Sequence, residues 1–133
     1  LKPATKALTF LLLAYAAASL LHYAHNAEFL ADYPNMPAWL SRNGIYAAWL
    51  ALSAFGVAGY LLFRRGYRLA GLLVLGVYAV AGFDGLTHYS LAPASAHSAT
   101  MNATIWLEAG TAALLLIAVA SLLAKRPGRA PTA

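Results

Sequence analysis

Four apolar runs dominate this chain, at residues 7–30, 44–63, 69–89 and 103–124. Each is close to the ~20 residues that carry an α-helix across a hydrocarbon core. Within a bilayer a backbone must satisfy its own hydrogen bonds, so runs of this length become helices. The links between them are short, which makes successive helices antiparallel neighbours. The expected fold class is an all-α integral membrane protein: an up-down-up-down bundle of four transmembrane helices, one domain over residues 1–124. Residues 125–133 hold Lys125, Arg126 and Arg129 among Pro, Gly and Ala, and are expected to form a basic, disordered cytoplasmic tail. With 62% hydrophobic and 10% charged residues, the chain has too little polar surface for a soluble domain of its size.

The charges set an orientation. Lys2 and Lys6 precede the first run, Arg64, Arg65 and Arg68 fill the link between the second and third, and Lys125, Arg126 and Arg129 follow the fourth. Cytoplasmic loops collect Lys and Arg, so both termini and the middle link are expected inside, with Arg42 alone outside. A bacterial inner membrane, with the polar end toward the periplasm, is the expected location. The formal net charge of +5 comes from helix ends and is not interleaved with stacking aromatics, so nucleic acid is not an expected partner. The first run is longer than the apolar core of a signal peptide and ends in polar residues rather than a small-residue cleavage site. The outer links, 31–43 and 90–102, contain Pro34, Pro37 and Pro93, which break helices. Trp39 reads as an interfacial anchor, as do Tyr23, Tyr33, Tyr89 and Trp106 at the outer level and Tyr60 and Tyr67 at the inner one. Ser98 or Thr100 is placed to cap the last helix. Gly56, Gly59, Gly71, Gly76, Gly82 and Gly85, with Ala47/Ala51 and Ala54/Ala58, offer close helix packing.

The ionisable residues are distributed unevenly. All four histidines (His22, His25, His88, His97) and all four acids (Glu28, Asp32, Asp84, Glu108) fall toward the outer side, opposite eight of the nine Lys and Arg residues. At 1.5 Å of rise per residue, His22 and Asp84 lie roughly 21 Å above the inner edge, and Glu108 and Tyr46 roughly 24 Å above it. Each of four helices is thus expected to deliver one polar side chain to a single layer. His22 and His25 are three apart and Asp84 and His88 four apart, spacings that share a helix face. Glu28 continues the first of these faces, and Thr104 shares a face with Glu108.

Ionisable groups at membrane depth are costly and mark function. With no cysteine in the chain, disulfides, iron–sulfur clusters and thiolate metal sites are excluded. Imidazole and carboxylate remain, the ligands of copper, zinc and non-haem iron. The candidate metal ligands are His22, His25, Asp84, His88, His97 and Glu108, supported by Glu28, Tyr46, Asn102 and Thr104. His97 either folds back from its loop as a lid ligand or stays solvated. His25 and Glu28 have equally plain roles as interfacial groups, and Asp32 as a loop carboxylate or a partner for Arg42. Asp84-x-x-x-His88 with the later His97 resembles a copper-ligand pattern in the membrane subunits of particulate methane and ammonia monooxygenases. That resemblance, confined to Asp84–His97, implies copper as the first metal to consider.

Several functions stay open. One is a metal-binding membrane protein serving a redox or metal-handling complex, with quinol as a possible reactant approaching past Tyr46, Trp49 or Trp106. A second is a haem b or quinone-binding anchor, with His22 and His88 as axial ligands. A third is a non-catalytic subunit packed against other membrane subunits or a second copy of itself. A transporter or proton channel is a fourth, weakened because the polar groups do not continue into the inner half of the bundle. The sequence leaves open whether the protein is an enzyme.

Overall fold

The computed structural model describes residues 3–125, with side chains from Thr5 onward. Lys2, Arg126, Arg129 and the tail beyond Lys125 lie outside the described residues. The described residues form helices and no strand: α1 (Pro3–Glu28), α2 (Arg42–Arg64), α3 (Arg68–Ala81), the single-turn α4 (His88–Leu91) and α5 (Ala99–Ala124). Four helical segments, Thr5–Glu28, Arg42–Arg64, Arg68–Leu91 and Ala99–Ala124, are long and apolar enough to cross a membrane. They close into a ring in which α1 packs on α2 and α5, and α3 packs on α2 and α5. This is the expected four-helix bundle.

Local chemistry sets the ends. Ser41 caps α2 by accepting from the Gly44 amide at 3.1 Å, and Ser98 caps α5 through the Met101 amide at 3.2 Å. The α2–α3 link turns at Gly66, whose φ of 94° suits a residue without a Cβ. Asn35 holds a φ of 56° in the first outer link and donates from Nδ2 to the Leu91 carbonyl at 2.8 Å, tying that link to the third span. Leu8, Tyr15, Leu72, Leu75, Tyr78, Leu115 and Val119 fill the core below the polar end. Leu13, Val57, Val77 and Ile117, each more than half exposed, point outward.

The third span departs from expectation. It is not one helix over 69–89: α3 ends at Ala81, and residues Asp84–Thr87 wind as a 3-10 helix before α4. Gly82 and Phe83 donate to the carbonyls three residues back, Ala79 and Val80, which leaves the Tyr78 carbonyl without its helical partner. The Tyr15 hydroxyl donates to that carbonyl at 3.1 Å from α1. A break inside an apolar span is tolerated when a neighbouring helix supplies the missing bond. Gly82 brings the span close to its neighbours, because a Cβ there would lie 2.5 Å from Ala112 Cβ and 2.6 Å from Tyr15 Cε2. Tyr15→Phe should therefore lower stability by about 1–3 kcal/mol, the cost of a buried unsatisfied carbonyl. Thermal unfolding in detergent micelles reads this, and an unchanged midpoint would show that Tyr78 has another donor.

The small-residue expectations divide. Gly56 lies against the Tyr78 ring, Gly59 against Leu75, and Gly71 against the backbone of Phe63. Gly76 makes only an ordinary contact with Val119. Ala47, Ala51, Ala54 and Ala58 are exposed, on the side of α2 that faces away from the bundle.

Candidate functional site

The histidines gather at one end of the bundle, the end that carries the 31–43 and 90–102 links. His22, His88 and His97 are 3%, 5% and 6% exposed, and Glu108 is 1% exposed. Such burial of ionisable groups requires partners, and their partners define the site.

His22, from α1, meets Glu108, from α5, with Nε2 3.7 Å from Oε2. Thr104, one turn before Glu108, gives its hydroxyl proton to the Met101 carbonyl at 3.0 Å. It therefore accepts from His22 Nδ1, at 3.4 Å. That leaves the Nε2 lone pair of His22 facing a carboxylate oxygen that has no hydrogen-bond partner of its own. Two acceptors opposed in a buried space need a cation between them, either a proton or a metal ion. The third span comes in close behind, because a Cβ on Gly85 would sit 3.2 Å from His22 Nε2 and 3.3 Å from Glu108 Oε2.

His88 lies beside His22, with ring centroids 5.5 Å apart, and His97 beside His88 at 6.1 Å. Asn26 Nδ2 holds His88 Nε2 at 3.0 Å, while His88 Nδ1 and Asn26 Oδ1 are buried without partners. His97 folds back from its loop and is not solvated. Its Nδ1 donates to the Pro93 carbonyl at 3.0 Å, which leaves a buried, partnerless Nε2. Asn102 fixes this loop by donating to the carbonyls of Ala94 and His97 at 3.0 and 3.2 Å and accepting from the Tyr89 hydroxyl at 2.7 Å. An imidazole oriented through one nitrogen, with the other left free, is the usual state of a metal-ligating histidine. No three His, Asp or Glu side chains among the described residues converge into a ready metal cage.

Other candidates lie elsewhere. Asp84 is exposed while His88 is buried, so the pair does not share a buried face as their four-residue spacing predicted. The reason is the 3-10 winding, in which residues three apart align: Gly82, Gly85 and His88 are the buried set. Tyr46 and Glu28 are also outside the layer. Glu28 accepts from Tyr46 at 2.7 Å and from Arg42 Nε and Nη2 at 3.0 and 2.7 Å, in an exposed cluster. Arg42 thus pairs with Glu28 and not with Asp32. His25 is half-buried one turn further along α1, where its Nδ1 shares a hydrogen bond with the Tyr33 hydroxyl at 2.9 Å.

Three contributors carried no signal strong enough to single out. Tyr33 is 3% exposed rather than interfacial, with its ring 4.9 Å from that of His88 and 6.5 Å from that of His97. Burial pushes its phenol up to about 12, so it keeps its proton at neutral pH. Asn26 and Ser19, 8% and 3% exposed, are the other two. Both stand on the buried face of α1, Asn26 four residues after His22 and Ser19 three before it, a spacing visible only once that face is known.

A cavity of about 560 Å³ opens beside this cluster, between α1, the start of α2 and the outer part of the third span. His22, Asn26, Asp84 and His88 line it, and Met36, Leu40, Ile45 and Leu91 lie among its apolar lining. Trp39 lines it, whereas Tyr46, Trp49 and Trp106 do not. No family model, curated protein or solved structure matches this chain. The reading of the site therefore rests on its own geometry.

Proposed function

We propose that the chain is an integral membrane metal-binding protein, with a buried His/carboxylate site in its outer leaflet half. The observation that carries this reading is the opposition of two buried atoms, His22 Nε2 and Glu108 Oε2, at 3.7 Å, while Thr104 engages the other nitrogen of His22. Ligand atoms on a tetrahedral centre with bonds near 2.0–2.1 Å lie about 3.3 Å apart, so a small inward shift makes this pair a two-point clip. His88 is the third ligand in this reading, through Nδ1 once the Asn26 amide turns to accept from Nε2. His97 Nε2 is the next free nitrogen outward. Copper, zinc and non-haem iron are the candidate metals, because imidazole with carboxylate serves all three.

In the same proposal the four spans cross a bacterial inner membrane. Lys6, Arg64, Arg65, Arg68 and Lys125 mark the cytoplasmic side, and the site faces the periplasm. The protein then serves a membrane redox or metal-handling complex, as a subunit beside others or beside a second copy of itself. Multi-element mass spectrometry with an absorption spectrum on gently purified protein tests the reading. Near-stoichiometric copper, zinc or iron is expected. A Soret band would replace this reading with the haem alternative. Neither metal nor chromophore after resupply would leave a structural polar network in an accessory subunit. Glu28→Ala should leave metal content unchanged, since Glu28 is held by Arg42 and Tyr46. Loss of metal in that variant would extend the site to the outer surface.

A further inference from the structure

The lining of the cavity beside the histidines mixes two chemistries: hydrogen-bonding side chains such as Asn26, Asp84 and His88 stand among apolar ones such as Met36, Ile45 and Leu91. Its volume of about 560 Å³ falls within the range of small-molecule sites. It lies under the first outer link, which Asn35 pins to the end of the third span, and Ala48 and Leu91 are exposed at its edge. Trp39, 81% exposed, lines it as well. These exposed apolar residues offer an occupant a route from the side of the bundle, beside the exposed polar residues Ser41, Asp84, Thr87 and Ser90 of the same lining.

The lining also selects a head group. Asp84 is the one formally charged residue among those lining the cavity, and no Lys or Arg joins it there. A carboxylate without a cation disfavours an anionic head and favours a hydrogen-bond donor, because bonds to an ionised acceptor are the stronger kind. Tyr23, His22, His88 and Trp39 add aromatic surface, against which a flat ring packs edge or face on.

We propose that this cavity binds a membrane-dissolved amphiphile whose head is a hydroxylated aromatic ring of the hydroquinone type. The ring hydroxyl donates to Asp84, and the apolar tail leaves past Ala48 and Leu91. The proposal goes beyond metal binding and does not depend on it.

The test uses the full chain in lipid nanodiscs and an alkyl hydroquinone bearing a diazirine on its tail. Labelled residues are mapped by mass spectrometry after irradiation. Saturable labelling of Leu40, Ile45 or Leu91 is expected, competed by unlabelled decyl-hydroquinone but not by decane. Ala48→Phe, which fills the entrance, and Asp84→Leu, which removes the acceptor, should each lower that labelling about tenfold or more. Thermal unfolding of both variants confirms that they remain folded, and a variant that does not is replaced by Leu91→Trp, which narrows the same entrance. Labelling spread over Leu13, Val57 and Ile117 without saturation would overturn the proposal, as would equal labelling by a ring-less alkyl diazirine. Chelator-stripped protein should label like untreated protein, so an absent metal would not be mistaken for a failed cavity.

Discussion

Glu108→Ala should strip the protein of its metal. Under dialysis against a competing chelator, bound metal is expected to fall from near one equivalent to background, an affinity loss of about a hundredfold or more. Outer partners of metal ligands typically account for ~10–100-fold, and Glu108 is the one carboxylate in the buried cluster. His22→Ala should do the same, since it removes the opposing lone pair. Thr104→Val should weaken binding by about 10–100-fold, because it removes the acceptor that fixes the His22 tautomer. Asp84→Ala should retain metal, because the Asp84 side chain is exposed on the cavity side and makes no ion pair among the described residues. Multi-element mass spectrometry on the four variants separates two arrangements. Metal lost with Asp84 but kept without Glu108 would move the centre into the cavity and away from the α1–α5 contact.

Gly71→Val should be the most damaging single substitution to the fold. A Cβ at this position lies 2.4 Å from the Phe63 amide nitrogen, 2.7 Å from its Cα and 2.8 Å from the Gly59 carbonyl. All three are backbone atoms, so no side chain can rotate away and helices α2 and α3 must part. Overpacking a buried contact commonly costs about 1–3 kcal/mol, and a clash with backbone belongs at or above the top of that range. Little folded protein should survive detergent extraction, as size-exclusion chromatography would show. Gly110→Val is the control: a Cβ there meets nothing within 4 Å, and the variant should extract like the parent. Equal yields for both would show that the α2–α3 contact is not tight in solution.

The spans were legible because length and apolar composition suffice to define a membrane-length helix. The Ser98 cap was legible because it depends on local chemistry. The break in the third span was less so, since Gly-Phe-Asp-Gly inside an apolar run reads equally as a helix with two glycines. Its cause lies on another helix, in the Tyr15 hydroxyl that takes up the freed Tyr78 carbonyl. The misplacement of Tyr46 has a geometric origin. Heights were counted from the inner edge, but α5 has 26 residues and α2 has 23. Measured from the outer ends, Glu108 is about 14 Å in and Tyr46 about 6 Å, near enough for its hydroxyl to reach Glu28. The burial of His22 and Glu108 follows from residue type and depth, whereas His88 entered through a four-residue spacing from Asp84 that the 3-10 winding does not keep. Tyr33 and Asn26 were not, because their roles follow from the histidines they touch.

The two halves of the buried polar pair sit on the first and last helices of the ring. In a chain inserted span by span, His22 on α1 precedes Glu108 on α5. A lone acidic residue near the middle of a helix makes that segment reluctant to leave the insertion machinery for lipid. The α1–α5 seam then does more than close the bundle: it gives α5 somewhere to put its carboxylate.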